Sequence, residues 1–474
     1  MSSYIHKDFL LQGDTAKRLY HDYAAGLPII DYHNHLDAKE IYDNHQYDNI
    51  AQAWLSCDHY LWRALRSNGV NEYYITGDAS DYEKFQKWCE TMPYLIGNPL
   101  YHWCHLELKK YFDLDLLLNS ENCAVIWQHC NQKLSQESHR FQSLLKESRV
   151  DTLCTTDDPL SDLSYHDKLN RSEFSVQVLP TFRADSLIEI ENQSNFQKTL
   201  NSLAFITDIN VVDFASYAQA ITSRVDYFAQ HNCRLSDLGL KVVDFSHYHP
   251  DVLDQAIAKV KRGDALNSEE ISQFKTAVFE VLGKAYHKHG WSMQIHIGVL
   301  INVNKRRFDD LGGGTGFSVI SDNPIAENLS HLLSLLDQDR QLPQTIVYSL
   351  NPKDSSVLGS IIGAFQDSDA QPGKVQLGSA WWFNDHKAGM EKQLQDLANL
   401  GALGRFVGML TDSRSVLSLS RHDYFRRILC NLLGKWVDDG ELPNDEPLLK
   451  QSVENICYQN AKQYFNFHPS KDLV

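Results

Sequence analysis

Two histidines one residue apart, His33 and His35, close the apolar run Leu27-Pro28-Ile29-Ile30 near the N-terminus. In a strand alternate side chains share a face, so both imidazoles project together and offer half of a divalent-metal site. The competing reading is a pair of polar loop histidines, since the chain holds 21 His. His-x-His recurs at His287 and His289, after a helical pattern, and at His247 and His249, running into Pro250. Only the first pair closes a strand. Far along the chain Thr411-Asp412-Ser413-Arg414 closes another apolar run. Asp412 is either a third ligand or the N-cap of a following helix. His296 is a further ligand, a proton carrier or a hydrogen-bonded interior histidine. Arg183 and Arg414 are fixed cations suited to bidentate carboxylate binding. Alternatively, Asp157, Asp185 or Asp237 takes them in ion pairs. Trp381 and Trp382 are a sugar-stacking wall or packing.

These residues need a scaffold that gathers strand ends. Residues 1–26 read as polar and helical, and the first strand covers 29–33. From 37 to 148 only helical periodicity is found, at 51–67, 80–92, 99–111 and 121–145. Gly69, Gly77-Asp78 and Gly97-Asn98-Pro99 punctuate it. Thereafter β-rich runs alternate with helices, at 150–156, 174–182, 233–237 (or 240–245), 291–300, 345–350, 374–383 and 405–411. Eight runs with helical spacers imply parallel βα units closed into a (β/α)₈ TIM-type barrel, with a helical insertion after strand 1. The expected division is 1–36 (N-terminal helix and strand 1), 37–148 (insertion) and 149–474 (the rest of the barrel). The spacer 185–232 has room for a second, smaller insertion. Polar residues follow nearly every run, at the C-terminal strand ends where such barrels place their sites. Gly312-Gly313-Gly314-Thr315-Gly316 reads as a flexible loop. It lacks the strand–helix setting and the Lys-Ser/Thr of a phosphate loop.

At 474 residues with a net charge of −17, the chain disfavours nonspecific nucleic-acid or membrane binding. No apolar h-region follows Met1, and no run reaches the ~18–20 apolar residues of a membrane span. Nine Cys in no regular spacing point to reduced thiols and a cytoplasmic protein.

Several blocks resemble the uronate isomerases, an outlying branch of the amidohydrolase superfamily. They are Arg18-Leu19-Tyr20-His21-Asp22-Tyr23, Asp31-Tyr32-His33-Asn34-His35-Leu36, Asp58-His59-Tyr60-Leu61-Trp62-Arg63, Gly97-Asn98-Pro99-Leu100-Tyr101-His102-Trp103, Thr155-Thr156-Asp157-Asp158-Pro159, Trp381-Trp382-Phe383-Asn384-Asp385 and Gly408-Met409-Leu410-Thr411-Asp412-Ser413-Arg414. The similarity runs from near residue 8 to Ala461. It implies aldose–ketose isomerisation of hexuronates, D-glucuronate to D-fructuronate and D-galacturonate to D-tagaturonate. A proton moves from C2 to C1 through a cis-enediol. It implies His33, His35 and Asp412 as ligands of a divalent metal, zinc by expectation, and no organic cofactor. His59, Tyr60, Arg183, Trp381 and Arg414 would surround the substrate, with His296 beside them. Asp412, Tyr60 or His59 would carry protons. A homo-oligomer acting on a small molecule is expected.

Among the departures from the family pattern, which include Val303 where Asn is common, two matter most. Leu238 follows Ser236-Asp237 where His is usual, and Ile301 stands where Arg is usual. They keep two alternatives open, a relative acting on another sugar acid and a catalytically silent binding protein. A metal-dependent hydrolase is disfavoured, because no carbamylatable Lys or second His set is found.

Overall fold

The computed structural model describes residues 3–467. Its centre is a ring of parallel strands: β1 (Ile29–Asp31), β2 (Val150–Cys154), β3 (Gln177–Leu179), β4 (Phe182–Arg183), β5 (Leu235–Leu240), β6 (Ser292–Ile297), β7 (Gln344–Ser349) and β8 (Val375–Leu377). β1, β2 and β3 pair in that order, and β4, β5, β6, β7 and β8 pair in theirs. β3 and β4 are one path interrupted at Pro180-Thr181, where proline offers no N–H to a ladder. A parallel bridge between Asp157 and Phe182 carries the pairing across the break. Phe182 is fully buried there, worth about 3 kcal/mol relative to an exposed ring.

The last path of the barrel is held differently from the expectation for 405–411. That segment forms no regular strand, and side chains replace much of the ladder. Gln376 Nε2 donates to the Arg405 carbonyl (3.0 Å) and its Oε1 accepts from the Val407 N–H (3.2 Å). On the other side, the Tyr32 hydroxyl donates to the Gly408 carbonyl (2.8 Å), and Asp31 accepts from the Thr411 N–H (2.8 Å). Two backbone bonds then close the ring, from Asp412 N–H to His33 O (3.1 Å) and from His35 N–H to Ser413 O (2.8 Å). Gly408 has φ +80°, and a Cβ there would lie 2.3 Å from the Ile456 carbonyl oxygen. No other residue fits that turn.

Other expectations are adjusted. The fourth run is β5, so 240–245 is not a strand. The run 291–300 divides after Ile297, where Gly298 turns the chain at φ +88°. Val299–Leu300 then pairs antiparallel with Val319–Ile320 as a hairpin beside the barrel mouth.

The insertion is helical. The expected helix over 51–67 is two helices, Ile50–Leu55 and His59–Ser67. Asp58 starts the second by accepting from the Tyr60 N–H. That cap places His59 and Tyr60 in the first turn. Asn98 and Pro99 start Pro99–Phe112 in the same manner. The spacer 185–232 holds the helices Asp185–Ile188, Gln193–Thr207 and Phe214–Gln230. Among the described residues no helix is long and apolar enough to cross a membrane.

Candidate active site

The C-terminal strand ends open into a cavity of about 520 Å³, lined by His33, His35, His296 and Asp412 among others. His33 and His35 follow β1 and reach it from one side. Asp412 meets them from the last path with a left-handed backbone, φ +48°. A non-glycine residue in that region is strained unless its surroundings hold it. Here three groups do. Asp412 Oδ1 lies 3.0 Å from His35 Nε2 and 3.3 Å from His33 Nε2, and Oδ2 accepts from Trp381 Nε1 at 2.9 Å. The N-cap alternative for Asp412 falls, since the next helical turn begins at Val416 after Ser415.

Burial works to raise the Asp412 carboxyl, but the hydrogen bonds with His33 and His35 prevail and hold it well below the usual carboxylate range. Burial pushes His35 down to about 4 against the pull of Asp412. It also works to lower His33, but Asp237 and Asp412 outweigh it and leave His33 raised. The three donor groups lie within 4.8 Å of one another. A second group, His33, Asp237 and His296, overlaps the first and is as compact. His33 Nδ1 and His296 Nε2 are buried with no protein partner among the described residues. Two imidazoles and a carboxylate, with orphaned ring nitrogens alongside, are a donor set that fits a zinc-like divalent ion.

On the facing wall Asp237 receives His296 Nδ1 at 2.7 Å and Arg183 Nη1 at 3.2 Å. These are ion-pair distances without hydrogen-bond alignment, since neither Asp237 oxygen has a hydrogen-bond partner among the described residues. Burial works to raise Asp237, and Arg183, His296 and His33 overcome it. The His296 ring stacks on Tyr348 at 4.4 Å and meets the Trp381 edge at 4.7 Å. Asp237 therefore orients an imidazole whose other nitrogen stays free. Arg183 also pairs with Asp185 (3.0 Å). The ion-pair alternative for Arg183 thus holds for Asp185 and Asp237. Asp157 instead accepts from Thr155 and Thr181.

Arg414 lines the same cavity and engages no carboxylate among the described residues. His59 lines it too, with its ring 4.9 Å from those of Tyr60 and Trp382. Tyr60 lies one layer back, in an adjoining cavity of about 290 Å³. Its hydroxyl is buried without a partner among the described residues, and burial and then Asp412 hold it well above its ordinary value. Trp381 is neither plain packing nor a bare stacking wall, because its indole N–H serves Asp412.

Sequence reasoning missed Arg421 and Asp385. Arg421 Nη1 donates to the Thr411 carbonyl (2.9 Å) and lies 3.3 Å from Asp385 Oδ2. Its guanidinium covers Trp103, 4.0 Å from the ring centroid. It thereby braces the residue before Asp412. Burial pushes the Asp385 carboxyl up to about 7, with Arg421 opposing. Asp385 ends the family-like block Trp381-Trp382-Phe383-Asn384-Asp385, but Arg421 sits inside a helical pattern with no local signal. Leu238 is buried and does not line the cavity, whereas its neighbours Asp237 and Gly239 do. Ile301 does line it and is 47% exposed.

A parallel barrel whose first strand and irregular last path bring two imidazoles and a carboxylate to the C-terminal mouth defines a barrel enzyme with a mononuclear-type donor set. Comparison with known proteins narrows that class. A model of the glucuronate isomerase family matches residues 1–465. Curated uronate isomerases from Bacillus pumilus and Lachnospira eligens are 46% and 48% identical, covering 100% and 98% of this chain and 98% and 100% of their own. The crystal structure of a uronate isomerase from Thermotoga maritima superposes with a TM-score of 0.91 at 31% identity, over 98% of this chain and 100% of that one. A glucuronate isomerase from Caulobacter crescentus, at 22% identity and a TM-score of 0.90 over 99% and 98% of the two chains, shares the fold. The chain belongs to the glucuronate isomerase family, and it is an isomerase rather than a hydrolase.

Proposed function

We propose that the cavity interconverts hexuronate aldoses and ketoses, D-glucuronate with D-fructuronate and D-galacturonate with D-tagaturonate, in hexuronate breakdown. What carries the reading is the meeting, in one cavity of a glucuronate-isomerase-family chain, of the His33–His35–Asp412 group with the carboxylate-free Arg414. The reaction removes the proton on C2 and returns one to C1, while a proton passes from O2 to O1. It needs a base, proton carriers for the oxygens and a cation for the remote carboxylate. Arg414 holds the substrate carboxylate, because it is the cavity arginine without an acidic partner among the described residues. Arg183 lines the same cavity, paired with Asp237 and Asp185. Asp412, kept ionised at neutral pH, serves as base. His59 exchanges protons with the sugar oxygens, with Tyr60 behind it and His296 opposite.

His33, His35 and Asp412 would hold a divalent metal, zinc by the chemistry of the donors. When bound it would supply Lewis-acid polarisation of the sugar oxygens. Placement in the cytoplasm fits nine cysteines that are all free thiols. A homo-oligomer, no organic cofactor, and a subdomain over 37–148 set against 1–36 and 149–474 belong to the same reading.

The test is incubation of the metal-supplemented protein with each uronate in D₂O, followed by NMR. Ketose formation with deuterium entering the sugar is expected. An unchanged spectrum with both sugars removes the reading. Binding without exchange points to a silent relative, for which the apolar Ile301 at the cavity wall is the motive.

A further inference from the structure

A second cavity, of about 470 Å³, lies at the opposite end of the barrel. Arg149 immediately precedes β2, and Leu27 leads into β1, so the walls belong to the N-terminal strand ends. Its size is within the range of small-molecule sites. Six basic side chains line it, Lys7, Lys109, Lys110, Arg149, Arg426 and Arg427, against the acids Glu147 and Asp423. The protein as a whole carries −17, so this is a local reversal of sign.

Few of these charges are neutralised. Arg427 pairs with Asp423 (3.0 Å), and Lys109 is drawn to Asp113 and Asp115 (3.1 and 3.0 Å). The other four form no ion pair among the described residues. Arg426, only 5% exposed, spends its Nη1 and Nη2 on the carbonyls of Leu27 and Pro28 (2.8 and 2.6 Å). Arg149 Nη1 donates to the Gly26 carbonyl (2.9 Å). Carbonyl contacts fix these guanidiniums without cancelling their charge. Burial lowers the Lys110 ammonium, with Asp423 opposing and Arg426 adding to the effect. Gathering unpaired cations around one cavity costs free energy that an anion would recover.

We propose that this cavity is a second ligand site, for a compact phosphate-bearing anion, held by Lys110, Arg149, Lys7 and Arg426. Four unneutralised cations exceed what one carboxylate can satisfy. A dianionic phosphate has the charge and the acceptor oxygens to engage several at once. Inorganic phosphate and a sugar phosphate share this chemistry.

The experiment is thermal unfolding of the full chain with inorganic phosphate or glucose 6-phosphate, against chloride of equal ionic strength. Phosphate tenfold above its Kd should raise the unfolding midpoint by about 2 °C over chloride. A response to either probe supports the site, and the stronger one identifies the source. Lys110→Gln and Arg149→Gln should each reduce the response, and the double variant should abolish it, with circular dichroism reporting the fold. Arg414→Gln, at the far mouth, should leave it intact. The proposal is overturned if chloride reproduces the shift, if both single variants respond like the parent, or if only Arg414→Gln removes the response. Phosphate binding at this cavity is read without uronate turnover, so failure of the proposed activity leaves this result standing.

Discussion

The two walls of the active-site cavity are built in opposite ways. On one, His33, His35 and Asp412 aim at a common point, and the hydrogen-bonding indole of Trp381 steadies the carboxylate. On the other, Asp237 is consumed by His296 and Arg183, and Arg183 is shared with Asp185. The first wall joins residues 377 apart in sequence, so it exists only when the barrel closes. The second joins adjacent strands in register, with β4 beside β5 and β5 beside β6. One wall gathers its donor atoms at a common point. The other spends its charges on one another and orients His296. A charge already paired is a poor reagent but a rigid support.

This contrast can be broken by experiment. The largest effect belongs to the convergent wall, where Asp412→Asn should lower kcat for hexuronate isomerisation about 10³-fold, by loss of the base and of a ligand. Retention of a tenth of the activity would end its assignment. Asp237→Asn should cost about 10–100-fold in metal affinity or activity, because Asp237 steadies His296, whose ring lies 4.9 Å from that of the ligand His33. Metal content after dialysis and steady-state rates read this, and a loss as deep as that of Asp412→Asn would make the walls equal. Trp381→Phe removes one hydrogen bond to a charged acceptor. Its kcat/KM should fall about tenfold, the equivalent of ~1.5 kcal/mol, with the unfolding midpoint little changed.

A separate effect, on stability rather than turnover, concerns the buried Asp385–Arg421 brace. The Asp385 carboxyl is raised to about 7 in the folded protein from an ordinary value of 3.8. The folded state therefore binds that proton more tightly than the unfolded chain. The stability it contributes is full below about pH 4 and is lost as pH rises to 7. Relative to Asp385→Asn, the parent should lose stability across that window and not above pH 8. A gap independent of pH would mean that the carboxyl is ionised throughout.

Much of the site was legible because its residues sit at strand ends, where an apolar run stops at a polar side chain. His33, His35, His296, Arg183, Asp412 and Arg414 all line the cavity that this pattern implies. Tyr60 fits less directly, since its ring stands behind His59. Arg421 was illegible, because an arginine within a helix has no local mark of the carbonyl it will reach. The irregular last path was also hidden. Its apolar run reads as a strand, while the bonds that hold it come from Gln376, Tyr32 and Asp31, distant in the chain or on another face.

By itself the sequence determined the number and order of the βα units, the helical insertion and the polar residues at the strand ends. These follow from local periodicity, which needs no distant partner. Tertiary structure decided how those residues divide their work. It paired Asp237 with His296 and Arg183 and left Arg414 without a carboxylate among the described residues. It turned Leu238 away from the cavity and kept Ile301 in it. It also gathered basic residues from four separated segments at the far end of the barrel. Charge pairing and burial depend on three-dimensional neighbours, and only closure of the barrel supplies them.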